Sequence, residues 1–233
     1  MNLARRILMA RRNWDDVVLL LKGDGPDGST NIIDSSINNH SVTVSGDARI
    51  RTDQSVYPGG SSMFVSSGSF KVNGFYCNFY QNNFTVEFWY YQNSRRGMDY
   101  LVSTYGDNDS ANRGWFLSTE RSHHLRPSFF AGINGSALIL QSDTAISLMS
   151  WNHLALTRNG NDFIIFLNGN VVATGANPST LPENNYELTI GAKPPSNTYR
   201  ADVYIQDLRI TKNLARYTTN FTPPTAPLPT PGP

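Results

Sequence analysis

Hydrophobic and polar residues alternate with a period of two along most of the chain. In the clearest run, every second position carries a large apolar side chain: Phe84, Val86, Phe88 and Tyr90. Because neighbouring side chains of a strand point to opposite faces, this period predicts a β-strand. We expect its aromatic and β-branched row to cross a hydrophobic core.

Two Asn-Gly turns predict a three-stranded meander in the second half of the chain. Its strands are Trp151–Arg158, Asp162–Leu167 and Asn170–Thr174. Asn-Gly supplies the positive φ angles that tight hairpin turns require, and it occurs at Asn159-Gly160 and Asn168-Gly169. Every second residue of the first strand points to the same face, and we expect Trp151, His153 or Ala155 to point inward.

Shorter runs of the same kind occupy the rest of the chain and are separated by turn residues. They are Val17–Lys22, Val42–Ser45, Ser61–Val65, Tyr100–Tyr105, Gly114–Thr119, Ser128–Ala131, Ala137–Gln141, Glu187–Gly191 and Ala201–Thr211. About a dozen short strands without a long helical period indicate an antiparallel sandwich or barrel. The only helical turn that we expect in the body is Lys212–Arg216.

Composition supports this all-β interpretation. Charged residues make up only 16% of the 233 residues, below the usual proportion of about a quarter, whereas aromatic residues reach 12%. These proportions exclude a coiled coil, a long-helix bundle and a disordered chain. No apolar run approaches the roughly 20 residues that a membrane-spanning helix needs.

The near-neutral charge hides an uneven distribution. The chain has 19 basic and 18 acidic residues, but residues 1–12 hold four arginines and no acid. We therefore divide the chain into a basic arm (1–13), a body (14–222) and a Pro-rich tail (223–233). The body carries a small negative charge, which argues against nucleic-acid binding by this part of the protein.

The arm and the tail are candidate attachment segments. The arm is too short to be a stable helix alone in water, so we expect it to order against a partner. Its candidate partner-binding residues are Arg5, Arg6, Ile7, Leu8, Arg11 and Arg12. The tail favours extended polyproline geometry and is a linker, a strap along a partner or a loose end.

Several segments of the body stand in an order that is familiar from one family. They are Val18–Gly25, Ile33–Ser36, Phe84–Trp89, Trp151–Arg158, Phe166–Gly169, Leu188–Gly191 and Ile205–Ile210. This order resembles the laminin-G-like branch of the concanavalin A-like lectin/glucanase superfamily, over about residues 17–222. The resemblance implies a two-sheet jelly-roll sandwich that binds rather than catalyses. The closing stretch, Asp207–Tyr217 followed by Asn220–Pro224, looks like a variant common in phage structural proteins and bacterial surface proteins.

The acidic residues do not form a hydrolytic pattern. Glucanases of this superfamily place their carboxylates as Glu-x-Asp-x-x-Glu on one strand, which puts nucleophile and acid on the same face. The chain has only four glutamates, and none of them stands in that pattern: Glu87, Glu120, Glu183 and Glu187. The single cysteine, Cys77, excludes an intramolecular disulfide and is expected to be a buried small residue. We therefore predict that the protein is not an enzyme.

Calcium is the best candidate for a bound ion. Asp24 and Asp27 lie in a Gly-rich loop, and hard cations need several oxygen ligands. The resemblance implies a calcium site shared by the end of the first strand and the penultimate strand, and Asp24 and Asp207 are the matching positions. The alternative is that Asp24 and Asp27 cap turns, and that Asp207 pairs with an arginine or accepts backbone hydrogen bonds.

Sugar binding would use aromatic side chains beside polar groups on the loops of the sandwich. The candidate ligand-binding residues are Tyr105, Asn108, Trp115 and Tyr199. The alternative for each aromatic residue is packing in the core.

Two functions remain. The first is a phage virion component, such as a capsid decoration or tail-associated protein, whose arm and tail bind other virion proteins and whose lectin-like domain faces outward. The second is a secreted or cell-surface carbohydrate-binding module. Either could form a homo-oligomer, and either could bind glycans.

Overall fold

The structure, a computed structural model, describes residues 14–106, 114–119, 125–133 and 136–230, which form fifteen β-strands. The strands are β1 (Val17–Leu21), β2 (Val42–Ser45), β3 (Arg49–Arg51), β4 (Ser62–Val65), β5 (Ser69–Val72), β6 (Phe84–Gln92), β7 (Asp99–Ser103), β8 (Trp115–Thr119), β9 (Pro127–Ile133), β10 (Ser136–Gln141), β11 (Trp151–Asn159), β12 (Asp162–Leu167), β13 (Asn170–Ala176), β14 (Thr189–Ile190) and β15 (Val203–Lys212). In these ranges, no helix has the length and apolar character needed to cross a membrane.

The strands form two antiparallel sheets. Sheet A has the order β13-β12-β11-β6-β15-β4-β3, and β1 also pairs with β15. Sheet B has the order β10-β9-β8-β7-β14-β5-β2. About half of the neighbouring strand pairs join strands that are distant in sequence, as in a jelly roll. The predicted all-β, two-sheet sandwich is confirmed.

The core lies between the two sheets. Its sheet A side includes the predicted row of β6, in which Phe84, Val86 and Phe88 are completely buried. Phe129 of sheet B meets Phe163 of sheet A with ring centroids 5.8 Å apart. Burying each such side chain contributes about 1.5–3 kcal/mol, which explains how the fold stands without a disulfide.

The predicted meander is β11-β12-β13, but the side chains of β11 that point into the core are not the ones predicted. Leu154 and Leu156 point into the core, so His153 and Ala155 lie on the outer face of sheet A. They are nevertheless buried. The sequence shows the alternation but not which face is internal, because both faces of this strand are covered.

The cover on the outer face of sheet A includes residues 213–230, which we call the C-terminal strap. The Phe221 N–H donates to the Gly169 carbonyl at 2.9 Å, and the Phe221 ring packs against His153. Further along, Leu228 is buried against Val17 and Leu20. The strap thus crosses the sheet from the meander to β1.

The predicted helical turn at Lys212–Arg216 is wrong. Lys212 ends β15, and Asn213 then adopts a φ of 64°, which breaks the helical path. The Arg216 N–H donates to the Thr85 hydroxyl, which itself donates to the Leu214 carbonyl. A side chain of β6 therefore satisfies the backbone groups that a helical turn would have paired internally.

Candidate functional site

The outer face of sheet B carries one continuous cross-strand row. The pairing register joins one residue from each of the seven strands: Ile139, Phe130, Phe116, Ser103, Thr189, Lys71 and Thr43. The row is outward because its strand neighbours, such as Leu117 and Phe129, belong to the core. It is apolar towards β10 and polar towards β2, so the two halves of this face offer different chemistry.

The apolar half supports a stack of four rings. Tyr199, Tyr100, Phe116 and Phe130 follow one another with centroid separations of 5.1, 4.2 and 5.0 Å and interplanar angles of 18°, 19° and 7°. Tyr105 packs edge-on against Phe116 and Phe130. The last ring of the stack, Tyr199, is 47% exposed. The stack therefore holds an aromatic surface at the protein's exterior.

Beside this stack lies a cavity of about 430 Å³, which we call the Lys71 cavity. Its polar centre is the ion pair between Lys71 Nζ and Glu187 Oε2, at 2.9 Å. The Gly74 N–H donates to Glu187 Oε1 at 2.6 Å, and this bond, with the one from Lys71, lowers the pKa of Glu187. The carboxylate is thus a fixed acceptor beside a fixed donor.

Two tyrosines form part of the wall of the Lys71 cavity. Tyr76 is 43% exposed, and its carbonyl accepts a hydrogen bond from the amide of buried Asn184. The ring of Tyr186 occupies the space that a Cβ on Gly106 would need, at 1.8 Å. Glycine at position 106 is therefore required for Tyr186 to reach the cavity.

The loop from Lys193 to Arg200 separates the Lys71 cavity from a second depression. Lys193 and Thr198 form a short antiparallel bridge at its base. The Lys193 ammonium lies 5.0 Å from the ring centroid of Tyr105 and 5.6 Å from that of Tyr199, which is a favourable cation–π arrangement. Lys193 thus joins the aromatic stack to the polar half of the face.

The predicted sugar-binding residues separate into three groups. Tyr105 and Tyr199 do come together, around Lys193. Trp115 does not join them: it is 3% exposed in β8, its indole N–H donates to the Cys77 carbonyl, and it packs in the core. This corrects the prediction that Trp115 is a loop aromatic, and it follows from the alternation of β8. Asn108 and the arm residues lie outside the described residues.

Lys71, Glu187 and Tyr76 are not among the site residues predicted from the sequence. The Ser69–Val72 strand carries a period-two signal between Gly68 and Gly74, which places Lys71 on an outward face. Nothing local indicates that this lysine meets Glu187, because the pairing of β5 with β14 is long-range.

The predicted calcium ligands do not form a cluster. Asp24 pairs with Lys22 at 3.1 Å, and Asp27 pairs with Arg51 at 3.3 Å. The described ranges contain no group of three acidic, histidine or cysteine side chains suited to a metal. Two of the three aspartates already face cations, so this arrangement does not fit a calcium ion as it stands, and the calcium site remains a prediction.

Asp207 is instead part of the strap contact. It is buried with a φ of 54°, and its Oδ2 accepts the Leu228 N–H at 2.9 Å. The Tyr57 hydroxyl lies near the Asp207 carboxyl group, but neither that hydroxyl nor Asp207 Oδ1 completes a well-aligned hydrogen bond. Burial raises the pKa of Asp207 to about 6.

Glu87 lies on the outer face of sheet A in a network of charged and aromatic side chains. Arg209 donates to Oε1 from Nε and Nη2 at 2.9 and 2.7 Å, and the Tyr217 hydroxyl donates to Oε2 at 2.7 Å. Burial alone would raise the pKa of Glu87, but hydrogen bonds from His153 and Tyr217 and the Arg209 charge outweigh it and lower the pKa to about 2. Glu87 is fully buried, so this network fastens the strap rather than receiving a substrate.

Cys77 is buried at 2% exposure, as the sequence predicts. Burial raises the pKa of its thiol, which keeps the sulfur protonated. Such a thiol is a weak nucleophile, since the thiolate is the reactive form.

Comparison with known families gives one match. The family model for laminin-G-like domains of the concanavalin A-like lectin/glucanases superfamily matches residues 66–215. No curated protein matches the sequence.

Several solved structures share the fold. The binding domain of Paraclostridial Mosquitocidal Protein 1 aligns with a TM-score of 0.64 and 19% identity, over 87% of this chain and 50% of that chain. Domain 4 of AbnA, an extracellular arabinanase from Geobacillus stearothermophilus, in complex with arabinotriose, aligns with a TM-score of 0.64 and 15% identity, over 84% of this chain and 92% of that chain. The binding domain of botulinum neurotoxin DC, in complex with SialylT, aligns with a TM-score of 0.59 and 16% identity, over 84% of this chain and 48% of that chain. The chain spans about half the length of the toxin binding domains that it matches.

Proposed function

This chain belongs to the concanavalin A-like lectin/glucanases superfamily, and we propose that it is a non-catalytic glycan-binding domain. The observation that carries the proposal is the Lys71 cavity beside an exposed aromatic stack on the outer face of sheet B. The ligand would bind there, outside the sandwich.

The chemistry of this face suits a sugar. Sugar rings present hydroxyl groups, which donate and accept hydrogen bonds, and apolar C–H faces, which pack on aromatic rings. Lys71 and Glu187 offer a charged donor and a charged acceptor that hold each other in place, and bonds to charged groups are worth about 1.5–3 kcal/mol each. Tyr76, Tyr186 and Tyr199 offer ring surface nearby. A volume of about 430 Å³ is within the usual range for small-molecule sites.

Two similar structures support a glycan as the ligand class. Domain 4 of the arabinanase was solved with arabinotriose and the neurotoxin binding domain with SialylT. At 15–16% identity these likenesses speak for the fold, and they make a glycan a reasonable ligand class to test first.

The test is a glycan array followed by calorimetric titration of the best glycan. We expect saturable binding that Tyr76→Ala weakens by about fivefold, because an aromatic contact is worth about 1 kcal/mol. Tyr80→Ala is the matched control, since Tyr80 is 41% exposed against 43% for Tyr76 and does not line the cavity. Absence of binding to every glycan, or equal effects of the two variants, would contradict the proposal.

A second candidate function, a phage virion component, rests on the sequence. It is supported by the four arginines in residues 1–12 and the phage-like closing stretch. In that setting the arm would attach the domain to other virion proteins and the glycan-binding face would point outward. Deleting residues 1–13 should abolish incorporation into particles while the body stays folded, and normal incorporation of the deleted chain would refute this role.

A further inference from the structure

A second cavity, of about 490 Å³, lies on the far side of the Lys193–Arg200 loop, and we call it the Arg200 cavity. Asn197 lines both cavities, so the two adjoin. Exposed Tyr199 lines the Arg200 cavity and carries the aromatic stack to its edge. A ligand longer than one sugar could therefore occupy both cavities at once.

Arg200 is prepared to hold an anion. Its Nε donates to the Asn197 carbonyl at 2.7 Å, which fixes the plane of the guanidinium. Among the described residues, the terminal amino groups of Arg200 have neither a hydrogen-bond acceptor nor an acidic partner. A guanidinium with a fixed plane and free N–H groups matches the geometry of a carboxylate or a sulfate group.

The other charges of the Arg200 cavity leave its opening positive. Arg96 is bound to Ser66 and to Asp202, so one acid offsets that guanidinium. Asp99 is 1% exposed, and its Oδ2 accepts the Gln92 amide at 2.6 Å. Asp99 faces the protein interior and Arg200 faces solvent, so a ligand would meet the cation first.

Resting on the proposed function, we propose that the ligand is an acidic glycan whose anionic group is held by Arg200 while a neighbouring sugar occupies the Lys71 cavity. The anionic group is a carboxylate of a sugar acid or a sulfate ester, since both accept two parallel N–H bonds from a guanidinium. Lys193, between the two cavities, adds positive charge along the path of the bound glycan.

The test compares matched glycans on the folded protein: lactose, 3′-sialyllactose and 3′-sulfated lactose, with an array that also holds neutral and uronate-containing oligosaccharides. We expect an acidic member to bind at least tenfold more tightly than its neutral counterpart, and this advantage to shrink in high salt. Arg200→Ala should remove the advantage, and Arg200→Lys should restore only part of it, because a lysine keeps the charge but not the fork. Arg49→Gln removes a positive charge from sheet A and should leave binding unchanged.

The outcomes separate the two proposals. If neutral glycans bind, Tyr76→Ala weakens them and acidic counterparts bind no better, the further inference is overturned and the proposed function stands. The same holds if acidic glycans bind better but Arg200→Ala is without effect. If no glycan binds, both proposals fall. Preference for the sialylated over the sulfated probe identifies the carboxylate as the recognised group, and the reverse identifies the sulfate.

Discussion

Replacing Glu87 with glutamine should destabilise the protein substantially at neutral pH. The change keeps the shape of the side chain but removes the charge that Arg209, Tyr217 and His153 surround. Glu87 has no solvent exposure, so water cannot compensate for the lost interactions. We expect the strap to remain in place and the free energy of unfolding to fall.

Two routes give the same magnitude. The pKa of Glu87 falls from 4.5 to about 2 on folding, which at about 1.4 kcal/mol per pKa unit corresponds to about 3 kcal/mol. Removing one partner of a buried ion pair typically costs about 3–5 kcal/mol. Because the folded pKa lies below the unfolded one, this stabilisation is fully present above the unfolded pKa of 4.5 and is lost as pH falls towards about 2.

Urea denaturation followed by tryptophan fluorescence, from neutral pH down to about pH 2, measures this effect. The difference between wild type and Glu87→Gln should be about 3 kcal/mol near pH 7 and should fall below about 0.5 kcal/mol at about pH 2, where Glu87 is half protonated in the folded protein. Glu183→Gln, on an exposed glutamate, should change stability by less than about 0.5 kcal/mol. A Glu87→Gln protein as stable as wild type at neutral pH would refute the reasoning, as would a difference that persists in acid.

Three further predictions concern the strap and the predicted ion. Leu228→Ala should lower the free energy of unfolding by about 2 kcal/mol, because the Leu228 side chain is only 6% exposed, and a thermal melt measures the loss. Leu148→Ala is the control, since Leu148 is 38% exposed, and equal losses in the two variants would contradict docking of the strap. Asp207 has a folded pKa of about 6, above its unfolded value of 3.8, so wild type should lose stability as pH rises from about 4 through 6. Asp207→Asn should show a smaller loss, because burial also raises the pKa of Asp99 to about 6, and parallel profiles would contradict the role of Asp207. Millimolar EDTA should leave the melting temperature unchanged, because the two loop aspartates are already paired with cations, and a rise on adding calcium would instead establish the ion.

The strands could be predicted from the sequence where alternation and turns are strong. The Phe84 row and the Asn-Gly meander are local signals, and the structure confirms both. Trp115 shows the limit of such signals. It follows Gly114, which suggests a loop, but the long-range pairing of β8 with β7 and β9 turns the indole into the core.

The candidate site depended on contacts that no local pattern contains. Glu87 stands alone on its strand in the sequence, yet Arg209 and Tyr217 reach it from the end of the chain. Lys71 and Glu187 come together only because β14 pairs with β5. Tyr105 and Tyr199 could be proposed from their loop positions, but the stack beneath them follows from the cross-strand register of sheet B.

The burial of Cys77 has a practical consequence for studying binding. The only sulfhydryl of the chain is protonated and buried, so alkylating dyes should not react with it. A cysteine introduced in place of Ser196, on the exposed loop between the two cavities, would then be the single labelling point. A fluorescent reporter of ligand binding could therefore be attached at position 196 without first replacing Cys77.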